Sequence, residues 1–205
     1  ILQDDLTQAI EKVMLGPERK SHVLNEKEKE ITAYHEAGHA LVASSLKNMD
    51  QVNKVSIVSR GRAGGYTLKL PTEDKHLRSK SEYESELAVL LGGYTAEKII
   101  FKDTTTGSSN DLKVASELAR RMVTEFGMSE KIGPIAYGDK DELVFLGKEL
   151  AVEKNYSDEI AFLIDQEVKN FISRALKMAK TILGRKLQTL HKIAKELIRK
   201  ETLEQ

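Results

Sequence analysis

The sequence predicts a mainly α-helical protein of the α+β class, in which a helix carrying a histidine motif and a small β-sheet precede a bundle of long C-terminal helices. Two observations predict this architecture. Apolar residues recur at intervals of three and four along most of the chain, as on one face of an α-helix. Two short segments, residues 52–58 and 65–70, are instead rich in Val, Ile, Tyr and Thr, which favours strands.

The elements follow in order along the chain. Residues 6–15 have helical spacing that stops at a Gly-Pro pair, and a charged linker to residue 29 leads into a helix expected to end near residue 47. The two strands come next and end at Pro71. Helices follow, with a looser stretch over residues 127–147 and with apolar stripes that predict a packed scaffold or, less favoured, a subunit interface. Their expected ranges are 81–101, 109–126, 157–183 and 185–200.

Composition limits the possible functions. The 205 residues suffice for one sizeable core, or for a core with an appendage. Lys plus Arg and Asp plus Glu both number 32, so no net field attracts nucleic acid, and a nucleic-acid binder is disfavoured. Cysteine is absent, which excludes disulfides and thiolate metal ligands. Because the chain also lacks a long apolar run and a Walker A pattern, we expect a soluble polypeptide that does not bind ATP through a P-loop.

The most informative feature is the segment His-Glu-Ala-Gly-His at residues 35–39. Side chains at positions i and i+4 of a helix lie on the same face, so His35 and His39 can reach one metal ion, and imidazole suits zinc. Glu36 lies beside them, where it can act as general base in hydrolysis. A buried helix whose histidines pair only with carboxylates or water is the less favoured interpretation. The remaining histidines, expected at the surface, are His22, His76 and His191.

A catalytic zinc site needs a third protein ligand from elsewhere in the chain. The extension of the motif by a Gly and a third His is excluded, because Val42 and Ser45 occupy those positions. A later carboxylate remains, from Glu97, Asp103 or Asp111. Asp111 is favoured because it begins an apolar-periodic helix, although an ordinary helix-capping role fits its spacing about equally well.

Several separate motifs occur in one order along the chain. They are Tyr34-His35-Glu36-Ala37-Gly38-His39-Ala40, Arg60-Gly61-Arg62-Ala63, Thr106-Gly107-Ser108-Ser109-Asn110-Asp111-Leu112 and Phe126-Gly127-Met128-Ser129-Glu130-Lys131. Together they resemble the FtsH family of ATP-dependent, membrane-anchored zinc proteases. The similarity runs from about residue 16 to residue 203 and therefore covers nearly the whole chain.

The resemblance implies that His35, His39 and Asp111 bind one zinc ion (Zn2+) per chain and that Glu36 is catalytic. It also implies polypeptide substrates, a homo-hexameric ring, and an upstream ATPase module and membrane anchor that are absent from this chain. Residues 1–20 would be the end of the ATPase lid with a linker, and residues 21–205 the zinc peptidase domain. The implied location is a bacterial inner membrane, with this domain on the cytoplasmic side; an organellar inner membrane is less favoured.

The second predicted strand is a candidate substrate-binding edge, because proteases commonly bind an extended peptide by adding it to a sheet. The alternative is a hairpin that only covers the metal-binding helix. The sequence alone does not rank the two, and the resemblance favours substrate binding. The candidate residues are Gly65, Tyr66, Thr67, Leu68, Lys69 and Leu70.

The chain departs from the usual family pattern at Tyr94, where Arg is common, at Asn53, where His is common, and at Gly64. None of these is an expected ligand, so the departures concern assembly more than chemistry. A rival function is a proteolytically silent assembly module, which the intact set of expected site residues argues against. A free-standing soluble metallopeptidase is a third possibility, and the helical segment at residues 6–15 argues against it.

Overall fold

The computed structural model describes residues 12–13, 25–59, 64–69, 77–137 and 156–204. Helices dominate these residues, and a small antiparallel sheet accompanies them, so the predicted fold class is confirmed. The helices are α1 (Glu26–Ala43), α2 (Lys80–Leu90), α3 (Gly92–Ile100), α4 (Ser109–Thr124), α5 (Asp158–Arg185) and α6 (Leu187–Lys200). The strands are β1 (Val52–Ser56), β2 (Tyr66–Lys69) and β3 (Thr202–Glu204). Of the helix predicted over residues 6–15, only residues 12 and 13 are described, and both are helical.

Helix α1 is the central element of the fold. It begins with a capping box, in which Asn25 Oδ1 accepts a hydrogen bond from Glu28 N at 2.9 Å and Glu28 Oε2 accepts one from Asn25 N at 3.2 Å. Residues 33–43 are all buried, because α2, α3, α6 and the sheet pack around this half of the helix. The helix ends at Ala43, a few residues earlier than predicted.

The helix predicted over residues 81–101 is in fact two helices. The chain bends at Leu91, where ψ is near 1°, and α3 then crosses α1 at very close range. A Cβ on Gly38 would lie 2.6 Å from the carbonyl oxygen of Gly92, and one on Gly92 would lie 2.9 Å from the carbonyl oxygen of Gly38. Two glycines therefore allow the backbones of α1 and α3 to approach each other.

The sheet has the strand order β2-β1-β3, with both pairs antiparallel. β3 was not predicted. It follows Glu201, whose φ is 62°. A hydrogen bond of 2.9 Å from Ile57 N to Glu201 O holds the start of β3 beside the end of β1. The register of β1 against β2 shifts between Val52 and Lys54. Among the described residues, the outer edge of β2 has no partner strand.

The remaining helices form the predicted C-terminal scaffold. α5 is 28 residues long and packs against α2, α3 and α4, whereas α6 packs mainly against α1. In the described part of the chain, no helix combines the length and the apolar character needed to cross a membrane. The largest fully buried side chains of the core are Phe171, Leu87, Leu91, Met122, Ile164, Leu183, Leu190 and Leu197.

His191, which we expected at the surface, is only partly exposed. This histidine is half-buried between α6 and α1, and its Nδ1 lies 2.7 Å from the hydroxyl of Tyr34. Spacing along the chain could not reveal this contact, because α6 and α1 are distant in sequence and meet only through packing. His22 and His76 lie outside the described residues.

Candidate metal centre

Two helices bring three potential ligands to one point. Nε2 of His35 lies 3.0 Å from Nε2 of His39 and 3.0 Å from Oδ2 of Asp111, and His39 Nε2 lies 3.3 Å from the same oxygen. The two histidines are on α1, and Asp111 is in the first turn of α4. Zinc bonds of about 2.0–2.1 Å in a tetrahedron place ligand atoms about 3.3 Å apart, so the observed spacing fits such an ion.

A separate loop delivers Asp111 to the histidines. Thr105 Oγ1 accepts a hydrogen bond of 3.1 Å from Gly107 N, and a 3₁₀ turn (Thr106–Ser108) leads directly into α4. Asp103, another candidate ligand, is exposed, and its carboxylate accepts a hydrogen bond from the neighbouring Thr104 N. Of the candidate carboxylates, Asp111 therefore lies with the histidine nitrogens and Asp103 does not.

Glu97 lies behind His35 rather than among the three converging atoms. Its Oε1 is 2.6 Å from His35 Nδ1, and its Oε2 accepts a hydrogen bond of 2.7 Å from Thr105 N. The carboxylate is almost completely buried. Glu97 thus fixes the ring orientation of His35 and ties it to the loop that leads to Asp111, as carboxylates commonly do beside metal-binding histidines.

His39 has a different support. Its Nδ1 lies 2.7 Å from the carbonyl oxygen of Val89, and a carbonyl can only accept, so Nδ1 carries the hydrogen. In the neutral ring the lone pair is then on Nε2, the atom that faces His35 and Asp111. Lone pairs that converge this closely repel one another unless a cation or a proton lies between them. The donor set therefore fits a metal ion.

Electrostatics in the metal-free site favour a proton on His35. Burial alone would lower the pKa of this imidazole, but hydrogen bonds to Asp111 and Glu97 raise it to about 10. Burial would raise the pKa of Asp111, whereas its hydrogen bonds to His35 and His39 hold it well below the usual range. Positive charge is therefore stabilised where a metal ion would bind.

Glu36 is buried beside the two histidines. Burial raises the pKa of its carboxyl, and the nearby His39 and His35 oppose that rise. Thr67 donates a hydrogen bond of 2.9 Å to Glu36 Oε2. A buried carboxylate with a raised pKa, held next to a metal site, is suited to accept a proton.

Glycines leave the space that the site requires. A Cβ on Gly93 would lie 2.5 Å from Cε1 of His35, and one on Gly65 would lie 2.9 Å from Oε1 of Glu36. Side chains at these positions would collide with the proposed ligand and the proposed base. The Gly92-Gly93 pair is visible in the sequence, but its role becomes clear only when α3 is placed against α1.

The candidate substrate strand lies next to Glu36. β2 directs the side chains of Tyr66 and Leu68 into the protein and leaves those of Thr67 and Lys69 half-exposed, and Gly65 precedes it. Leu70, the last candidate residue, lies outside the described residues. Substrate binding along β2 stays a prediction.

The departures from the family pattern are not among the three converging residues. The side chain of Tyr94 is half-buried, and the Lys98 ammonium lies 5.8 Å from its ring centroid. Asn53 lies at the irregularity in β1, and a Cβ on Gly64 would meet nothing within 4 Å.

A helix with two histidines and a glutamate, completed by an aspartate from a second helix, defines a zinc metallopeptidase with an HExxH motif. The chain belongs to peptidase family M41, which matches residues 22–205. The resemblance noted from the sequence motifs is therefore confirmed.

Curated relatives are similar along the whole chain. One is ATP-dependent zinc metalloprotease FtsH 1 of Thermomicrobium roseum, 54% identical over 200 residues, which are 98% of this chain and 31% of that protein. FtsH 1 of Sphaerobacter thermophilus is 53% identical over 98% of this chain and 31% of its own length. FtsH 3 of Petrotoga mobilis is 52% identical over 99% of this chain and 32% of its own length. The chain thus spans about a third of these relatives.

Proposed function

We propose that this chain is the zinc-dependent endopeptidase part of a longer, membrane-anchored, ATP-dependent protease that degrades unfolded or membrane-extracted proteins. The observation that carries the proposal is the convergence of His35 Nε2, His39 Nε2 and Asp111 Oδ2 beside the buried Glu36. Membership of family M41 and the names of the relatives support it.

In the proposed mechanism, His35, His39 and Asp111 hold the ion and Glu36 moves the proton. A zinc ion held there would polarise a peptide carbonyl and lower the pKa of a water molecule. Glu36 takes a proton from the attacking water and returns it to the nitrogen of the leaving amine as the C–N bond breaks. Glu97 and the Val89 carbonyl keep both imidazoles in the tautomer that leaves Nε2 free to bind metal.

Substrate is proposed to bind as an extended chain along β2, over the segment from Gly65 to Leu70. The outer edge of β2 lacks a partner strand among the described residues, and Thr67 of this strand contacts Glu36. Main-chain hydrogen bonds along such an edge give affinity with little sequence preference. This suits an enzyme that degrades many unfolded proteins.

The remaining proposals concern the whole protein, because the chain spans only about a third of its relatives. An ATPase module, ending within residues 1–20, would bind ATP and deliver polypeptides to the peptidase domain at residues 21–205. Six copies would form a ring, anchored in a bacterial inner membrane with the peptidase on the cytoplasmic side. Neither ATP nor nucleic acid is proposed as a ligand of this chain.

The decisive experiment measures cleavage of unfolded casein and bound zinc in parallel, for the wild type and for Glu36→Gln. We expect zinc to be retained in both and cleavage to fall by about 10²- to 10⁴-fold in the variant, the usual contribution of a general base. Glu30→Gln is the matched control, because Glu30 is an exposed glutamate on the same helix. Zinc binding without cleavage by the wild type would favour the silent assembly module, or an activity that requires the ATPase module.

A further inference from the structure

We propose that Thr67 is a positioning residue for Glu36, and that through it the strand β2 sets the orientation of the general base. This inference rests on the proposed peptidase function. The Thr67 hydroxyl lies 2.9 Å from Glu36 Oε2 and 3.4 Å from the Glu36 carbonyl oxygen. Because a hydroxyl has one hydrogen to donate, the shorter contact with the carboxylate is the stronger one.

The two oxygens of Glu36 have different surroundings. Oε2 is held by Thr67, whereas the space beside Oε1 is open only because residue 65 is a glycine, whose missing Cβ would lie 2.9 Å from that atom. One oxygen is thus anchored and the other remains available to accept a proton. A glutamate side chain has several rotatable bonds, so an anchor of this kind lowers the entropy lost when the proton is transferred.

The anchor belongs to the strand that is proposed to bind substrate. Thr67 pairs with Val55 across β1 and β2, and its side chain reaches over to α1. A peptide added along the edge of β2 would therefore lie beside the residue that fixes the base. The positioning of Glu36 and the docking of substrate would share one short element. Because the proposed substrate contacts are main-chain hydrogen bonds, a change of the Thr67 side chain should affect turnover more than substrate affinity.

The test compares zinc-loaded Thr67→Val, which removes the hydroxyl and keeps the branched shape, with Thr67→Ser, which keeps the hydroxyl. Crystal structures should show the Glu36 carboxylate displaced or in several rotamers in T67V, and in the wild-type position in T67S. With a fluorogenic peptide, kcat of T67V should fall about tenfold to a hundredfold, the usual effect of a hydrogen bond to a charged group, while KM and zinc content stay unchanged. T67S should restore most of kcat.

One control and one fallback variant keep the outcomes distinct. Thr181→Val removes a threonine hydroxyl from an exposed site on α5, where it donates to the Lys177 carbonyl, and should change nothing. If T67V does not fold, Thr67→Ala provides the same comparison. An unmoved Glu36 in T67V, or equal losses in T67V and T67S, would overturn the inference. A failure of the peptidase proposal appears differently, as a wild type without cleavage, and the crystallographic comparison still decides the role of Thr67.

Discussion

In His35 and in His39, both ring nitrogens contact another polar group, but the group that contacts Nδ1 differs between the two residues. Nδ1 of His39 donates to a backbone carbonyl, which cannot titrate. Nδ1 of His35 contacts the carboxylate of Glu97, and its Nε2 contacts that of Asp111. His35 thus lies between two anions, which raise its pKa.

This arrangement predicts that zinc affinity depends on pH. His35 has a pKa of about 10 in the metal-free protein, and the proton must leave before Nε2 can bind metal. Since one proton is released per ion, affinity should rise about tenfold per pH unit from pH 7 toward pH 10. Competition with a chelator of known affinity at several pH values measures this slope. A flat profile between pH 7 and pH 9 would contradict it.

Matched variants identify the group responsible. Glu97→Gln removes one of the two anions, so the pKa of His35 should fall and affinity should level off at a lower pH. Glu117→Gln, at an exposed position of α4, should follow the wild type. The stability of the metal-free fold should change with pH in the direction opposite to zinc affinity. Because folding raises the pKa of His35, its protonation stabilises the fold fully at pH values below about 6.5, the ordinary pKa of histidine. This contribution is lost as the pH rises through about 10.

At the scale of residues, local geometry explains what the sequence predicted. The i, i+4 spacing is a property of one helix, so the convergence of His35 and His39 follows from the motif itself. Asp111 is on another helix, and its spacing alone fits a metal ligand and a helix cap about equally well. The family resemblance was therefore needed to favour the ligand role. The support by Glu97 and Thr67 depends on how α3 and β2 pack against α1, which no local pattern contains.

At the scale of elements, the crossing of α1 and α3 depends on the absence of side chains. A Cβ on Gly38 would lie 2.7 Å from the Cβ of Ala96 and even closer to the carbonyl oxygen of Gly92. We therefore expect Gly38→Ala to destabilise the protein by about 1–3 kcal/mol, as overpacking in a core usually does. Equilibrium unfolding in urea, with circular dichroism at 222 nm as the signal, measures this change.

Gly184→Ala is the control for that substitution. It also lies within a helix, but a Cβ there meets nothing within 4 Å. Alanine should therefore be neutral or stabilise α5 by up to about 1 kcal/mol, through its higher helix propensity. Equal destabilisation by the two substitutions would mean that the close approach of α1 and α3 is not what makes Gly38 necessary.

The errors in the predicted elements have related physical causes. Residues 81–101 were predicted as one helix because apolar spacing continues through Leu91, whereas the bend at that residue arises from packing against α1. β3 was missed because three residues form a strand only when β1 is already present to pair with them. The helical scaffold was predictable because each helix carries its own apolar stripe.

At the scale of the whole molecule, the C-terminal elements pack against α1, the helix that carries two of the candidate ligands, and against the sheet beside it. α6 packs along α1, and β3 then pairs with β1 in the sheet that also contains β2. Lys29 at the start of α1 and Glu201 at the end of α6 form an ion pair of 2.9 Å at the surface. The site is thus held by a core to which each of the helices α1 to α6 contributes.

A bound ion would add a link between α1 and α4, whose proposed ligands His35 and Asp111 are 76 residues apart. The unfolded chain has no preformed site, so zinc binds only the folded protein. Free zinc at 100 times its Kd should therefore stabilise the fold by about 2.7 kcal/mol. For a chain of this size that corresponds to a rise in Tm of about 5–10 °C. Calorimetry with zinc and with chelator measures the difference. Asp111→Ala should abolish the shift and Glu36→Gln should keep it, because only the first removes a ligand; a shift that survives in Asp111→Ala would place the ion elsewhere.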